Sequence, residues 1–369
     1  MKSPISRRPA RTGPTRADAP APDGRLRTAP STAAAGNRSR NAPTAAAGNR
    51  TRLAAGGVLL AAALAATTTA CSTSGGDDGS NGDSKTAAPV ASQGAASKTI
   101  QVVAAENFWG SIAAQVGGSH VKVTSIITNP ATDPHDYEPT AADARTVSGA
   151  QYAIVNGIGY DAWADKLLAA SPSSGRTELK IGDLVGVQPG GNPHRWYSPT
   201  DVHHVIEQIT TDFKKLDPAD AAYFDSQKAT FENTTLAPYN QAIADIKAKY
   251  AGTPIGASES IVSPLADGLD LKMLTPASFL TAISEGSDPT AHDKAEIDQQ
   301  IKSKQIKVYV YNSQNSTPDV QQQVKEAKAE GIPVATVTET LTPAGASFQQ
   351  WQVRQLQGIA AALAKATGK

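Results

Sequence analysis

Four residues spread along the chain sit in settings that suit metal ligation: His135 in Asp133-Pro-His-Asp-Tyr-Glu-Pro139, His194 in Asn192-Pro-His-Arg-Trp196, Glu259 in Ala257-Ser-Glu-Ser260 and Glu339 in Val337-Thr-Glu-Thr-Leu341. Two imidazoles and two carboxylates make a complete first coordination shell for a transition-metal dication. Asp133, Asp136 and Glu138 flank His135 and could orient its second ring nitrogen, as metal-bound imidazoles require. Taken alone, Glu259 has the alternative reading of a carboxylate at a helix start and Glu339 that of an exposed acid at a strand end. The other histidines do not fit the set. His203 and His204 are adjacent, so on a helix they point about 100° apart, His292 opens a helix after Thr290, and His120 stands in a Gly-Gly-Ser turn.

Each of the four candidates follows, or lies near, an apolar run that reads as a strand. The folded part opens with strand-like Thr99–Ala104 and a helix over Glu106–Val116. Then come a strand at Val121–Thr128, a short helix from Thr140, a strand at Tyr152–Asn156, a helix over Asp161–Ala170 and a strand near Leu179–Ile181. A helix over Pro199–Leu216 closes this first part. Strands alternating with helices predict a parallel α/β lobe, in which loops leaving strand ends converge on the ligand crevice. From Pro218 to Tyr250 there is no Gly. The positions of Phe224, Phe231, Tyr239, Ile243, Ile246 and Tyr250 follow helical periodicity, which predicts one long linking helix over 217–250. A second alternation begins at Pro254, with strands at Lys272–Leu274, Val308–Tyr311 and Val334–Val337. Its helices are expected over Lys294–Ser303, Asp319–Glu330 and Phe348–Ala366. The predicted organisation is an α/β fold of two Rossmann-like lobes, 99–216 and 251–369, with the metal site in the cleft between them. Tyr137, Trp163, Trp196 and Tyr197 are candidates to roof it.

The 369 residues carry no net charge at pH 7, but the charge is unevenly spread. Residues 1–52 hold eleven Lys/Arg against two Asp/Glu, leaving twenty-three bases and thirty-two acids for the remainder. An acidic body argues against nucleic acid as a partner, because phosphate binding needs basic patches on the folded part. Cys71 is the only cysteine, so no intramolecular disulfide is available. It follows Arg50-Thr-Arg52, an apolar stretch from Leu53 to Ala66, and Thr67-Thr-Thr-Ala70. A basic segment, a short apolar segment and a small residue make an export signal over 1–70. The Ala/Arg/Pro-rich leader, with its near-duplicate segments at 32–40 and 44–52, cannot bury a core and reads as an over-extended basic region or an upstream start. From Cys71 to about Lys98 the chain is Ser, Gly, Asp and Ala, which reads as a flexible tether.

The segment ending at Cys71 resembles a bacterial lipoprotein signal, whose cysteine is lipidated, with Thr68 in place of the usual aliphatic residue. From Thr99 to the C-terminus the chain resembles the metal-specific solute-binding proteins of bacterial ABC importers, the zinc and manganese group with a rigid linking helix. The resemblance rests on the four ligand segments above and on Val155-Asn-Gly-Ile-Gly-Tyr-Asp-Ala-Trp163. It implies His135, His194, Glu259 and Glu339 as ligands of one divalent cation carried as cargo, Zn2+ or Mn2+. It also implies a monomeric, lipid-anchored receptor on the outer face of the cytoplasmic membrane, serving an ABC permease with a separate ATPase. A P-loop sequence is absent from this chain. The departures bear on the metal. The histidine-rich loop of many zinc members is missing between His135 and His194, and Glu259 stands where zinc members often carry a third histidine. A shell of two His and two carboxylates is more oxygen-rich, which favours manganese or iron, although zinc accepts the same donors. Rival readings are a surface adhesin that stores metal, a receptor for an organic ligand, and a metallohydrolase, which would want an open coordination position and lacks a His-Glu-x-x-His motif. An enzyme is not expected.

Overall fold

The computed structural model describes residues 99–369; the expected export signal, Cys71 and the tether lie outside the described residues. The first half is built on β1 (Ile100–Glu106), β2 (Val121–Ile127), β3 (Tyr152–Val155) and β4 (Thr177–Lys180), all parallel in the order β2-β1-β3-β4. Every residue of β1 except Gln101 is buried, because helices cover both faces of a central parallel strand and polar alternation is lost. The helices are α1 (Asn107–Gly117), α2 (Ala141–Ser148), α3 (Ala162–Ala170), α4 (Ile181–Val185) and α5 (Pro199–Leu216). The short α4 was not expected; Gly186, in a left-handed conformation with φ 71°, ends it. Thr140 caps α2 by accepting from the backbone of Ala142 and Asp143, and Asp143 returns a bond to the Thr140 backbone. That capping box fixes the point at which the His135 loop re-enters regular structure.

The stretch expected as one helix over 217–250 is helical throughout most of its length, but it is not a single α-helix. A 3-10 turn at Pro218–Asp220 leads into α6 (Ala221–Thr230), a π-turn at Phe231–Thr235 and α7 (Ala237–Tyr250). Pro238 supplies the physical reason. It has no N–H for the carbonyl four residues earlier and its ring crowds that carbonyl, so the preceding turn widens. Leu236 N–H instead reaches Phe231 O at 2.7 Å. Phe231, Leu236 and Tyr239 stay buried through the break, so packing holds the two helices in series.

The second half repeats the first. β5 (Pro254–Ala257), β6 (Lys272–Met273), β7 (Val308–Asn312) and β8 (Val334–Val337) form a parallel sheet in the order β6-β5-β7-β8. Around it lie α8 (Ser263–Gly268), α9 (Ala277–Ser284), α10 (Ala291–Lys302), α11 (Pro318–Ala329) and α12 (Phe348–Thr367). In each sheet the strand order reverses at one point, between β1 and β3 and between β5 and β7, and the crevice forms beyond the carboxyl ends there. One apolar cluster runs through both halves, from Ile100 to Leu363, and includes the fully buried Trp109, Trp196 and Trp351. The C-terminal α12 also reaches α1 of the first half: Gln115 and Gln349 exchange two amide hydrogen bonds (3.1 and 2.8 Å), and Phe348 N–H donates to Ser111 Oγ at 3.0 Å. Among the described residues no helix is long and apolar enough to cross a membrane.

Candidate metal centre

The loops that follow β2, α4, β5 and β8 bring the four expected residues to one cleft of about 600 Å3, which all four line. His135, His194 and Glu339 come closest. A ring nitrogen of each histidine and a carboxylate oxygen of Glu339 all lie within 4.8 Å of one another. Glu339 Oε1 is 4.0 Å from His135 Nε2 and 3.7 Å from His194 Nε2. Ligand atoms about 2.1 Å from a tetrahedral ion sit roughly 3.4 Å apart, so a small inward movement would close the shell. Glu259 faces the same cleft but is not part of that tight trio. Its two oxygens accept from the side-chain amides of Asn312 (2.6 Å) and Asn315 (2.7 Å).

The surroundings set each donor for its task. His194 is fully buried, and burial pulls its pKa down against the opposing pull of Glu339, so the ring is neutral at pH 7. Its Nδ1 lies 2.9 Å from Asn192 Oδ1, which already accepts the His194 backbone N–H at 3.0 Å. An amide oxygen can only accept, so Nδ1 carries the proton and Nε2 presents its lone pair to the cleft. Burial pushes the Glu339 carboxyl up, but hydrogen bonding and charge from His194, then the charge of His135, outweigh it and hold the group below its ordinary value. Glu259 goes the other way: burial first, then the charge of Glu339, push it up to about 8, only partly offset by the two asparagines. His135 lies at the mouth. Asp133 accepts its backbone N–H at 2.9 Å and does not bond the ring; Tyr160 meets the ring edge-to-face at 4.7 Å.

Several residues that position the candidate ligands carry no signal of that role in the sequence. Asp161 is buried and accepts the backbone N–H groups of Asn156 and Gly157, both at 2.7 Å. Asn156 then links Trp109 Nε1 (3.0 Å) to Pro193 O (2.9 Å), the carbonyl just before His194. Asn312 at the end of β7, with Gln314 and Asn315 just after it, grips both acidic segments. Such amides carry no pattern that distinguishes them from surface loop residues, although Asn156 and Asp161 lay within a quoted motif. Of the four aromatics expected as a roof, two act on the backbone and two pack against other rings. Trp163 Nε1 donates to Pro134 O at 3.1 Å, and the Tyr197 hydroxyl donates to Thr338 O at 2.7 Å, each next to a candidate ligand. Trp196 stacks on Phe108 at 4.0 Å beneath His194, and Tyr137 packs on Trp163. Among the described residues one other trio, His120, Asp217 and Asp220, brings possible ligand atoms together. His120 Nδ1 lies 3.0 Å from Asp220 and the ring stacks on Tyr223 at 4.0 Å, an arrangement suited to anchoring the start of α6.

Two similar parallel-sheet lobes, with polar and ionisable side chains from both converging in one cleft, define a solute-binding fold. The chain belongs to the family of the zinc-uptake complex component A, periplasmic, which matches residues 102–362. It is 26% identical over 272 residues to the zinc-binding lipoprotein AdcA of Streptococcus pneumoniae, covering 66% of this chain and 52% of that protein. It is 32% identical over 133 residues to the iron-binding protein YfeA of Yersinia pestis, covering 34% of this chain and 42% of that protein. The chain thus spans about half the length of the curated relatives it matches. Among solved structures, a periplasmic metal-binding protein of Candidatus Liberibacter asiaticus superposes with a TM-score of 0.61 at 21% identity, over 72% of this chain and all of that one.

Proposed function

We propose that this chain captures one divalent transition-metal ion, Zn2+ or Mn2+, between its lobes and delivers it to an ABC permease. His135, His194 and Glu339 would supply the first three ligands and Glu259 the fourth. The reading rests on one observation above all: residues from separate loops of both lobes, 204 positions apart at the extremes, converge on a common point. Four protein donors can close a shell without water, which suits carriage better than hydrolysis. Anchorage through lipidated Cys71 on the outer face of the cytoplasmic membrane, and action as a monomer, belong to the same proposal. Relatives named for zinc, manganese and iron accord with a transition-metal cargo and leave its identity to experiment.

The test is metal content of chelator-stripped protein reloaded with zinc and manganese in competition. One equivalent, lost in His135→Ala with the fold intact, is the expected result, and the preference names the cargo. No stoichiometric metal would redirect attention to an organic ligand.

Glu259 yields a separate prediction. With its pKa raised from 4.5 to about 8, the metal-free protein holds this proton at pH 7. Coordination must expel it, so affinity should climb with pH up to about 8. The same shift makes the metal-free protein bind more protons than its unfolded chain between those values, so its stability should fall as pH rises through that window. Titration calorimetry at pH 7 in buffers of different ionisation enthalpy should show nearly one more proton released by the wild type than by Glu259→Gln. Equal release would mean that Glu259 stays protonated beside the ion.

A further inference from the structure

We propose that Gln314 is a cross-lobe clasp that governs how fast the bound cation leaves; this rests on the metal-binding reading above. Its Oε1 accepts the backbone N–H groups of Glu339 (2.6 Å) and Thr340 (3.0 Å). Its Nε2 donates to Thr340 Oγ1 (3.0 Å) and, across the cleft, to Pro130 O (2.7 Å), in the loop that carries His135. Two N–H groups on one end and a carbonyl on the other fix the orientation of the amide without ambiguity. The Gln314 backbone N–H is itself held by Asn312 Oδ1 at 2.9 Å, and Asn312 holds Glu259. One half-buried side chain and its loop therefore touch the segments of three candidate ligands, two from one lobe and one from the other.

Asn192 mirrors this arrangement on the His194 side. Its Oδ1 takes the backbone and ring N–H of His194, while its Nδ2 donates to Ser260 O at 2.6 Å, beside Glu259. Asn192 also sets the His194 tautomer, so substituting it would alter ligation directly. Gln314 touches no ligand side chain through its amide and is the cleaner probe. A cation leaving between His135 and Glu339 needs their loops to part, and parting them breaks the Gln314–Pro130 bond. Positioning of Glu339 within its own lobe depends on the other end of the same amide.

Two variants separate these roles. Gln314→Ala removes every bond. Gln314→Glu, ionised at pH 8.5, still accepts from the Glu339 and Thr340 backbone, and the Thr340 hydroxyl can turn to donate to it, but its oxygen faces the Pro130 carbonyl, so the cross-lobe bond alone is lost. Zinc-loaded wild type and variants would be mixed with excess chromogenic chelator, with release followed by stopped flow. Both variants should release zinc about five- to tenfold faster, the scale of one net hydrogen bond, with unfolding of metal-free Gln314→Glu near that of the wild type. The added negative charge would by itself slow release, so acceleration in Gln314→Glu isolates the lost cross-lobe bond. Fast release in Gln314→Ala alone would assign the effect to holding Glu339 within its lobe and overturn the clasp. Wild-type rates in both variants would overturn it too. A wild type that takes up no zinc or manganese would instead remove the underlying metal-binding reading.

Discussion

Replacing Glu339 with alanine should cost the site its cation. Glu339 is the common neighbour of both imidazoles and the one candidate carboxylate whose pKa is held below its ordinary value. Glu259 cannot substitute for it, since it is raised to about 8 and already engaged by two amides. Structural zinc sites gain roughly 10–16 kcal/mol from four ligands, so one lost ligand removes about 3 kcal/mol, or more than about a hundredfold in affinity. The fold should survive, because Glu339 lies in a loop and leaves a neutral His194 still bonded to Asn192. A second effect should accompany the loss: Glu259 should ionise more readily once the charge of Glu339 is gone. Competition with a chelator measures the first effect, and circular dichroism checks the fold. Affinity within tenfold of the wild type would exclude Glu339 from the shell.

Asp161→Ala should be the most damaging change outside the ligand set. The carboxylate is buried and takes two 2.7 Å hydrogen bonds from the backbone that follows β3. Its loss strands one buried and one half-buried N–H group, and bonds to charged groups are worth about 1.5–3 kcal/mol each, so roughly 3 kcal/mol or more of stability should go. The damage should also reach the site. The same turn supplies Asn156, which supports the carbonyl before His194, and Tyr160, which packs on the His135 ring. Chemical denaturation should therefore show a lowered midpoint, and metal affinity should fall although no ligand is touched. Asp161→Asn, which keeps an acceptor in place, should recover part of both losses; equal damage in the two variants would argue that the charge itself is required. Burial raises the Asp161 pKa from 3.8 to about 6, so the stability advantage of the wild type over both variants should grow as pH falls through that window.

Much of this protein is legible along the chain because the information is local. β1 and β7 announce themselves as apolar runs, and α5 begins and ends where Ser198, Pro199 and Asp217 place it. His135 and His194 stand out because a histidine after a proline in a polar loop has few reasons to be there other than ligation. What the local pattern did not reveal depends on distance. The π-turn ahead of Pro238 arises only because Phe231 and Tyr239 must both stay buried while a proline removes a hydrogen bond between them. Glu259 and Glu339 look alike as acids shortly after a strand, yet one is pushed above its ordinary pKa and the other held below it. The difference comes from what the fold sets beside them: for Glu259, burial and a like charge that two asparagines only partly offset; for Glu339, two imidazoles that outweigh its burial. Donor types and their separation in sequence are properties of the chain. Their protonation, their distances and the amides that clamp them come from through-space contacts between residues as far apart as Pro130 and Gln314, which exist only once the two lobes have closed on a common cleft.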